Sequence, residues 1–204
     1  SKKEIIEQEM NATFDDSFDF QQQSHISAFS NPNIPVITNN KSHKIQLYYW
    51  GLIPEWVKDI KTANNLRKMT YNARYETITE KPSFKKSIQN KCLIIADGFY
   101  EWETIRNGKI CHFINNHKNN IFAFAGIYSH WINKFDNKII KTVSIITQPA
   151  NRLMSKIHNI KKRQPVVLHK HNHEKWLNSC LDYIGILKES YNIVLNNKIV
   201  KSPL

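Results

Sequence analysis

Residues 92–114 hold three strand-length runs separated by two tight-turn signals, and a chain patterned this way is committed to antiparallel sheet. The apolar run Cys92-Leu93-Ile94-Ile95-Ala96 has the length of a buried strand and stops at Asp97-Gly98, a turn or bulge signal. Tyr100–Ile105 and Lys109–Ile114 follow, and Asn107-Gly108 between them predicts a type I′ hairpin turn.

The rest of the chain repeats the pattern. Ile34–Thr38 and Ile45–Trp50 read as a hairpin joined through Asn39-Asn40-Lys41-Ser42, and Gly51 and Pro54 end its second strand. Further strands are predicted at Ile121–Tyr128, Ile139–Thr147 and Pro165–Leu168, with a closing strand in Tyr191–Val200. The helices are short. One runs from a capping box at Ser1-Lys2-Lys3-Glu4 to about Phe14; others lie at Pro82–Ile88, Ala150–Ile157 and in part of Glu174–Leu187. Asp15–Gln23 reads as a loop anchored by Phe14, Phe18 and Phe20, and Asp59–Met69 as irregular. Strands clustered in sequence with short helices between them predict an α+β fold. We expect a single domain over residues 1–204, with mainly antiparallel sheets in a barrel- or sandwich-like core and short peripheral helices. A capping box at the first residue also predicts chain upstream of Ser1.

Charge points to the partner. The net charge is +12, yet Lys2 and Lys3 face Glu4, Glu7, Glu9, Asp15, Asp16 and Asp19 within residues 1–20, so the remainder carries +16. Such a surplus favours a polyanion, nucleic acid first, although a Lys-rich surface also accumulates without a partner. Only five of the 29 basic residues are Arg, which singles out each guanidinium as a potential phosphate fork. Cys92, Cys111 and Cys180 show neither paired nor metal-type spacing, and a reducing, cytoplasmic setting follows. No apolar stretch is long enough to span a bilayer as a helix.

Three stretches could carry chemistry. Glu101 sits among Phe99, Tyr100 and Trp102, where a poorly solvated carboxylate suits acid/base work; a surface Glu beside core-facing aromatics is the plainer alternative. Asn72 and Arg74 would share one face of an extended segment and could hold a sugar-phosphate, or Arg74 could simply pair with Glu76. His158 would stand at a helix exit, before the basic patch Lys161-Lys162-Arg163. Trp50, Trp56 and Trp102 could stack on bases or pack a core. His169, His171 and His173 alternate without a recognised ligand pattern, so no metal site is expected.

Together these stretches resemble the SOS-response-associated peptidase (SRAP) family, the abasic-site processing proteins. The resemblance lies in Trp50-Gly51-Leu52-Ile53-Pro54-Glu55-Trp56, Asn72-Ala73-Arg74-Tyr75-Glu76-Thr77, Lys81-Pro82-Ser83-Phe84, Cys92 to Trp102, Thr147-Gln148-Pro149-Ala150-Asn151 and His158 to Leu168, in the family's order. It implies a protein that acts on abasic sites in single-stranded DNA through a cysteine that follows the initiator methionine. The terminal amine, with a pKa near 8, adds to the ring-opened sugar aldehyde as an imine, and the thiol closes a thiazolidine crosslink. The same imine can drive β-elimination, a lyase reaction; the family name adds a self-processing peptidase. By the resemblance Asn72, Glu101 and His158 are catalytic, Arg74 and Arg163 hold phosphates, and Trp50 and Trp102 stack beside the lesion; Lys161 and Lys162, in the basic patch beside His158, are expected to bind DNA as well. No cofactor or metal is implied, and a monomer at damaged DNA in the nucleoid is expected.

The sequence departs from the family in two places. No cysteine lies near Ser1, so the family's N-terminal residues are expected upstream, and the link from His158 to Pro165 is longer and more basic. A non-catalytic single-strand binder is the main alternative; a general cysteine protease would need a reactive thiol beside His158.

Overall fold

The computed structural model describes residues 2–15, 21, 23, 25–117, 121–178 and 183–203. Among them the elements run α1 (Lys2–Met10), β1 (Thr13–Phe14), β2 (Asn33–Thr38), β3 (Lys41–Trp50), α2 (Ile60–Arg67), β4 (Asn72–Arg74), β5 (Lys91–Ala96), β6 (Phe99–Ile105) and β7 (Gly108–Asn116). They continue with β8 (Phe122–Ile132), β9 (Ile139–Pro149), α3 (Arg152–Ile157), β10 (Arg163–Pro165), β11 (Val167–Leu168), α4 (His173–Asn178), α5 (Tyr183–Ser190) and β12 (Leu195–Val200).

Five strands close a barrel. β3 pairs with β2, β2 with β5, β5 with β8 and β8 with β9, all antiparallel. The parallel contact of Tyr49 with Thr142 and Trp50 with Val143 returns β9 to β3. β8 and β9 part beyond the Gly126–Ile145 pair, and β10 and β11 fill the opening, on β9 and β8 respectively. On the other edge of β9, β4 takes over where β3 ends, so Thr147 has Arg74 on one side and Pro165 on the other. A second antiparallel sheet, in the order β12-β7-β6, sets Glu101 opposite His112.

This layering explains why β5 reads as an unbroken apolar run. Leu93 and Ile95 pack in a cluster with Ile6 and Met10 of α1, Trp176 of α4 and Leu187 of α5. Cys92 and Ile94 join a second cluster with Ile114 of β7, Leu195 of β12, and Met154 and Ile157 of α3. Both faces of the strand are covered, so no polar alternation survives. Gly98 lets β6 leave β5 closely: a Cβ there would lie 2.1 Å from Phe113 Cζ.

The fold class agrees with expectation, and several boundaries do not. α1 stops at Met10 because Asn11 takes a left-handed φ of 49°, and Phe14 is buried in β1 against β3. Residues 59–69, expected to be irregular, hold α2. Asp59 caps it, accepting from Thr62 N and the Thr62 hydroxyl at 2.8 Å each, and Ala63 and Arg67 bury one helical face. Pro82–Ile88 makes only a 3-10 turn at Lys85–Ser87. The β6–β7 hairpin forms, but Ile105 pairs with Gly108, so the loop is Arg106-Asn107. Neither residue has positive φ, which excludes type I′; Gly108 alone takes φ 150°. Ser1, Phe18, Phe20 and Cys180 lie outside the described residues.

Candidate active site

Glu101 lies mid-strand on β6, and His158 directly follows α3. That helix starts where Asn151 Oδ1 accepts from Met154 N at 2.9 Å, and it buries Met154 and Ile157. His158 N closes the last turn on Met154 O at 2.8 Å, and His158 O then accepts from Lys162 N at 2.8 Å. Lys162 reaches that bond at a φ of 48°. The turn holds the imidazole: Nδ1 is 2.9 Å from Arg163 O and 3.4 Å from Glu101 Oε2. A carbonyl can only accept, so Nδ1 carries a proton and Nε2 is the nitrogen left to take one. Glu101 Oε1 accepts from Trp102 N at 3.0 Å, which orients the carboxylate. The two side chains are 22% and 24% exposed, open enough to meet a ligand.

A further side chain ties these elements together. Asn159 Oδ1 accepts from Thr104 N at 3.1 Å, and Asn159 Nδ2 donates to Thr104 O at 2.8 Å. Only its place beside His158 marks Asn159 in the sequence.

Asn72 and Arg74 are both exposed, on either side of buried Ala73, as an extended segment requires. Trp50 is half-buried, and its Nε1 donates to Tyr71 O at 2.9 Å. On β9, the partners of Trp50 and Asn72 are Val143 and Ile145, which sets the indole beside the amide segment. Tyr71 meets the rings of Trp50 and Phe29 edge-on, and Phe29 is 81% exposed. Trp102 is half-buried on β6; exposed Trp56 donates to Pro82 O at 3.1 Å.

The basic patch divides in two. Lys161 and Lys162 are exposed. Arg163 turns inward: its Nη1 and Nη2 donate to the two oxygens of Glu76, and Nη2 also donates to Thr147 O at 2.8 Å and Thr147 Oγ1 at 3.2 Å. Glu76 therefore pairs with Arg163 rather than Arg74, a partner that sequence neighbours could not reveal. Burial pushes the Glu76 carboxyl up, but the hydrogen bonds and charge of Arg163 outweigh it and hold the carboxyl below its ordinary range.

Cys92 and Cys111 are buried, and burial pushes both thiols up, with Glu101 adding to the effect at Cys111. Neither is primed as a nucleophile. His169 and His171 stack, and His171 Nε2 lies 2.7 Å from Glu189. Among the described residues no group of three His, Cys, Asp or Glu side chains could hold a metal ion. No helix among them is long and apolar enough to cross a membrane.

The barrel, its companion sheet and the sequence that builds them match a known protein family. The family model described as SOS response associated peptidase (SRAP) matches residues 1–192, and the chain belongs to that family. Among its relatives, the abasic site processing protein YoqW of Bacillus subtilis is 38% identical over 164 residues, 78% of this chain and 70% of that protein. The abasic site processing protein YoaM of the same organism is 38% identical over 177 residues, 84% and 74% of the two chains. A crystal structure of a Bacteroides thetaiotaomicron protein superposes with a TM-score of 0.81 at 36% identity, covering 89% of this chain and 79% of that one. One from Bordetella bronchiseptica, at 19% identity and a TM-score of 0.79, shares the fold.

Proposed function

We propose that the protein processes abasic sites in single-stranded DNA, with Glu101 and His158 as its acid/base pair. The observation that carries this reading is the 3.4 Å contact between the Glu101 carboxylate and His158 Nδ1 in a chain of this family. An abasic sugar opens to an aldehyde. A terminal α-amine adds to it, the carbinolamine loses water, and the resulting imine accepts the thiol of the same cysteine to close a thiazolidine. When the ring does not close, a base removes the proton α to the imine and the 3′ phosphate leaves, cutting the strand. Each step moves a proton at the sugar, and His158 Nε2 and Glu101 are the groups that exchange it. The same pair would serve a self-processing cleavage that frees the cysteine.

Asn72 positions the reacting sugar or the cysteine. Arg74, Lys161 and Lys162 hold the flanking phosphates, and Trp50 and Trp102 stack on bases. Arg163 is paired with Glu76, whose carboxylate balances its charge, and it reaches a phosphate only by giving that partner up. None of these steps changes an oxidation state, and a monomer suffices.

The test uses full-length protein with a cysteine N-terminus and an abasic single strand on a denaturing gel. A covalent band is expected, and Glu101→Gln and His158→Ala slow its formation by about 10²- to 10⁴-fold. The net charge of +12 supports a second reading, a non-catalytic single-strand binder. Equal, salt-dependent affinity for intact and abasic strands, with no covalent band and no cleavage, establishes that reading instead.

A further inference from the structure

β6 is the outer strand of the β12-β7-β6 sheet, and the N–H and C=O of Thr104 both point to Asn159 rather than to β7. The side-chain amide of Asn159 thus takes the place of a neighbouring strand's peptide, with donor and acceptor both used. Glu101 sits on the same strand as Thr104, and His158 is the residue before Asn159. The bonds inside the turn, His158 Nδ1 to Arg163 O and Lys162 N to His158 O, fix the turn's shape but not its distance from β6. The packing of α3 brings the turn near β6, and the paired Asn159–Thr104 bonds join the residue after His158 directly to the strand that carries Glu101.

We infer that Asn159 is a positioning residue: by gripping the Thr104 peptide it sets the separation of His158 from Glu101, and through it the rate of abasic-site chemistry. The inference rests on the acid/base reading of those two groups. Losing the clamp frees the turn to drift from β6, and the pair loses its alignment while the DNA-binding residues on β4 stay in place.

The experiment measures crosslink formation by full-length protein with a cysteine N-terminus, across pH, beside its affinity for an intact strand. Asn159→Ala removes both bonds and is expected to slow crosslinking by about 10- to 100-fold and shift the pH profile, with intact-strand affinity unchanged. Asn159→Asp keeps the acceptor for Thr104 N and loses the donor, so its rate should fall between the two; it also serves if the alanine variant fails to fold. In a His158→Ala background, Asn159→Ala should have no further effect, because the group it positions is gone. An undiminished rate in Asn159→Ala, or an equal loss in both backgrounds, overturns the inference while leaving the acid/base pair standing. A wild-type rate in His158→Ala overturns both.

Discussion

Replacing Glu76 with glutamine isolates the pair that holds Arg163. In the native protein Arg163 donates to both carboxylate oxygens and twice more to Thr147, with its side chain only 15% exposed. Glutamine offers one carbonyl oxygen, and its amide nitrogen faces the guanidinium. Two charge-assisted hydrogen bonds become one neutral-acceptor bond, a loss of about 1–2 kcal/mol once partial solvent screening at Glu76 is allowed for. For a chain of this size that lowers Tm by roughly 2–8 °C. The pH dependence sharpens the test. Folding lowers the Glu76 pKa from its ordinary 4.5, so its contribution is fully present above that value and is lost as pH falls through the folded-state pKa. Differential scanning calorimetry at pH 7 and pH 3 should show a clear gap between wild type and Glu76→Gln at neutral pH that narrows in acid. Equal Tm values at pH 7, or a gap that does not narrow at pH 3, would refute the reasoning.

Two further tests probe other parts of the fold. Burial first, and then the charge of Lys170, push the His173 imidazole down from 6.5 to about 4. Its contribution is therefore full above pH 6.5 and declines as pH falls toward 4, by up to about 3 kcal/mol. His173→Gln should flatten the urea midpoint between pH 7 and 4.5, and an unchanged slope would count against this assignment. Gly98→Ala places a Cβ 2.1 Å from Phe113 Cζ and 2.9 Å from Ile114 O. The ring must swing away, at about 1–3 kcal/mol in denaturant melts, and Phe113→Leu in the same chain should recover part of it.

Much of the site was legible because its parts are local. The exposed–buried–exposed order of Asn72, Ala73 and Arg74 follows from strand alternation, and His158 stands at a helix exit because Asn151 caps a helix too short to pass it. The errors were also local signals, overruled from a distance. Phe14 continues the spacing of α1 but is claimed by β3, and the polar segment 59–69 becomes a helix once Asp59 caps it and Ala63 finds a buried face. Asn107-Gly108 promised a turn type that Gly108 made unnecessary by taking positive φ alone.

By itself, then, the chain determined its longer strands, where the β6–β7 hairpin reverses and the residue types able to move protons or meet phosphates, because propensity and alternation depend on neighbours a few positions away. Only the tertiary structure decided that β9 returns to β3 to close the barrel, that Glu76 meets Arg163, and that Asn159 meets Thr104. Those partners are chosen by the register and closure of whole sheets. That energy is shared among many strands at once and is written in no single stretch.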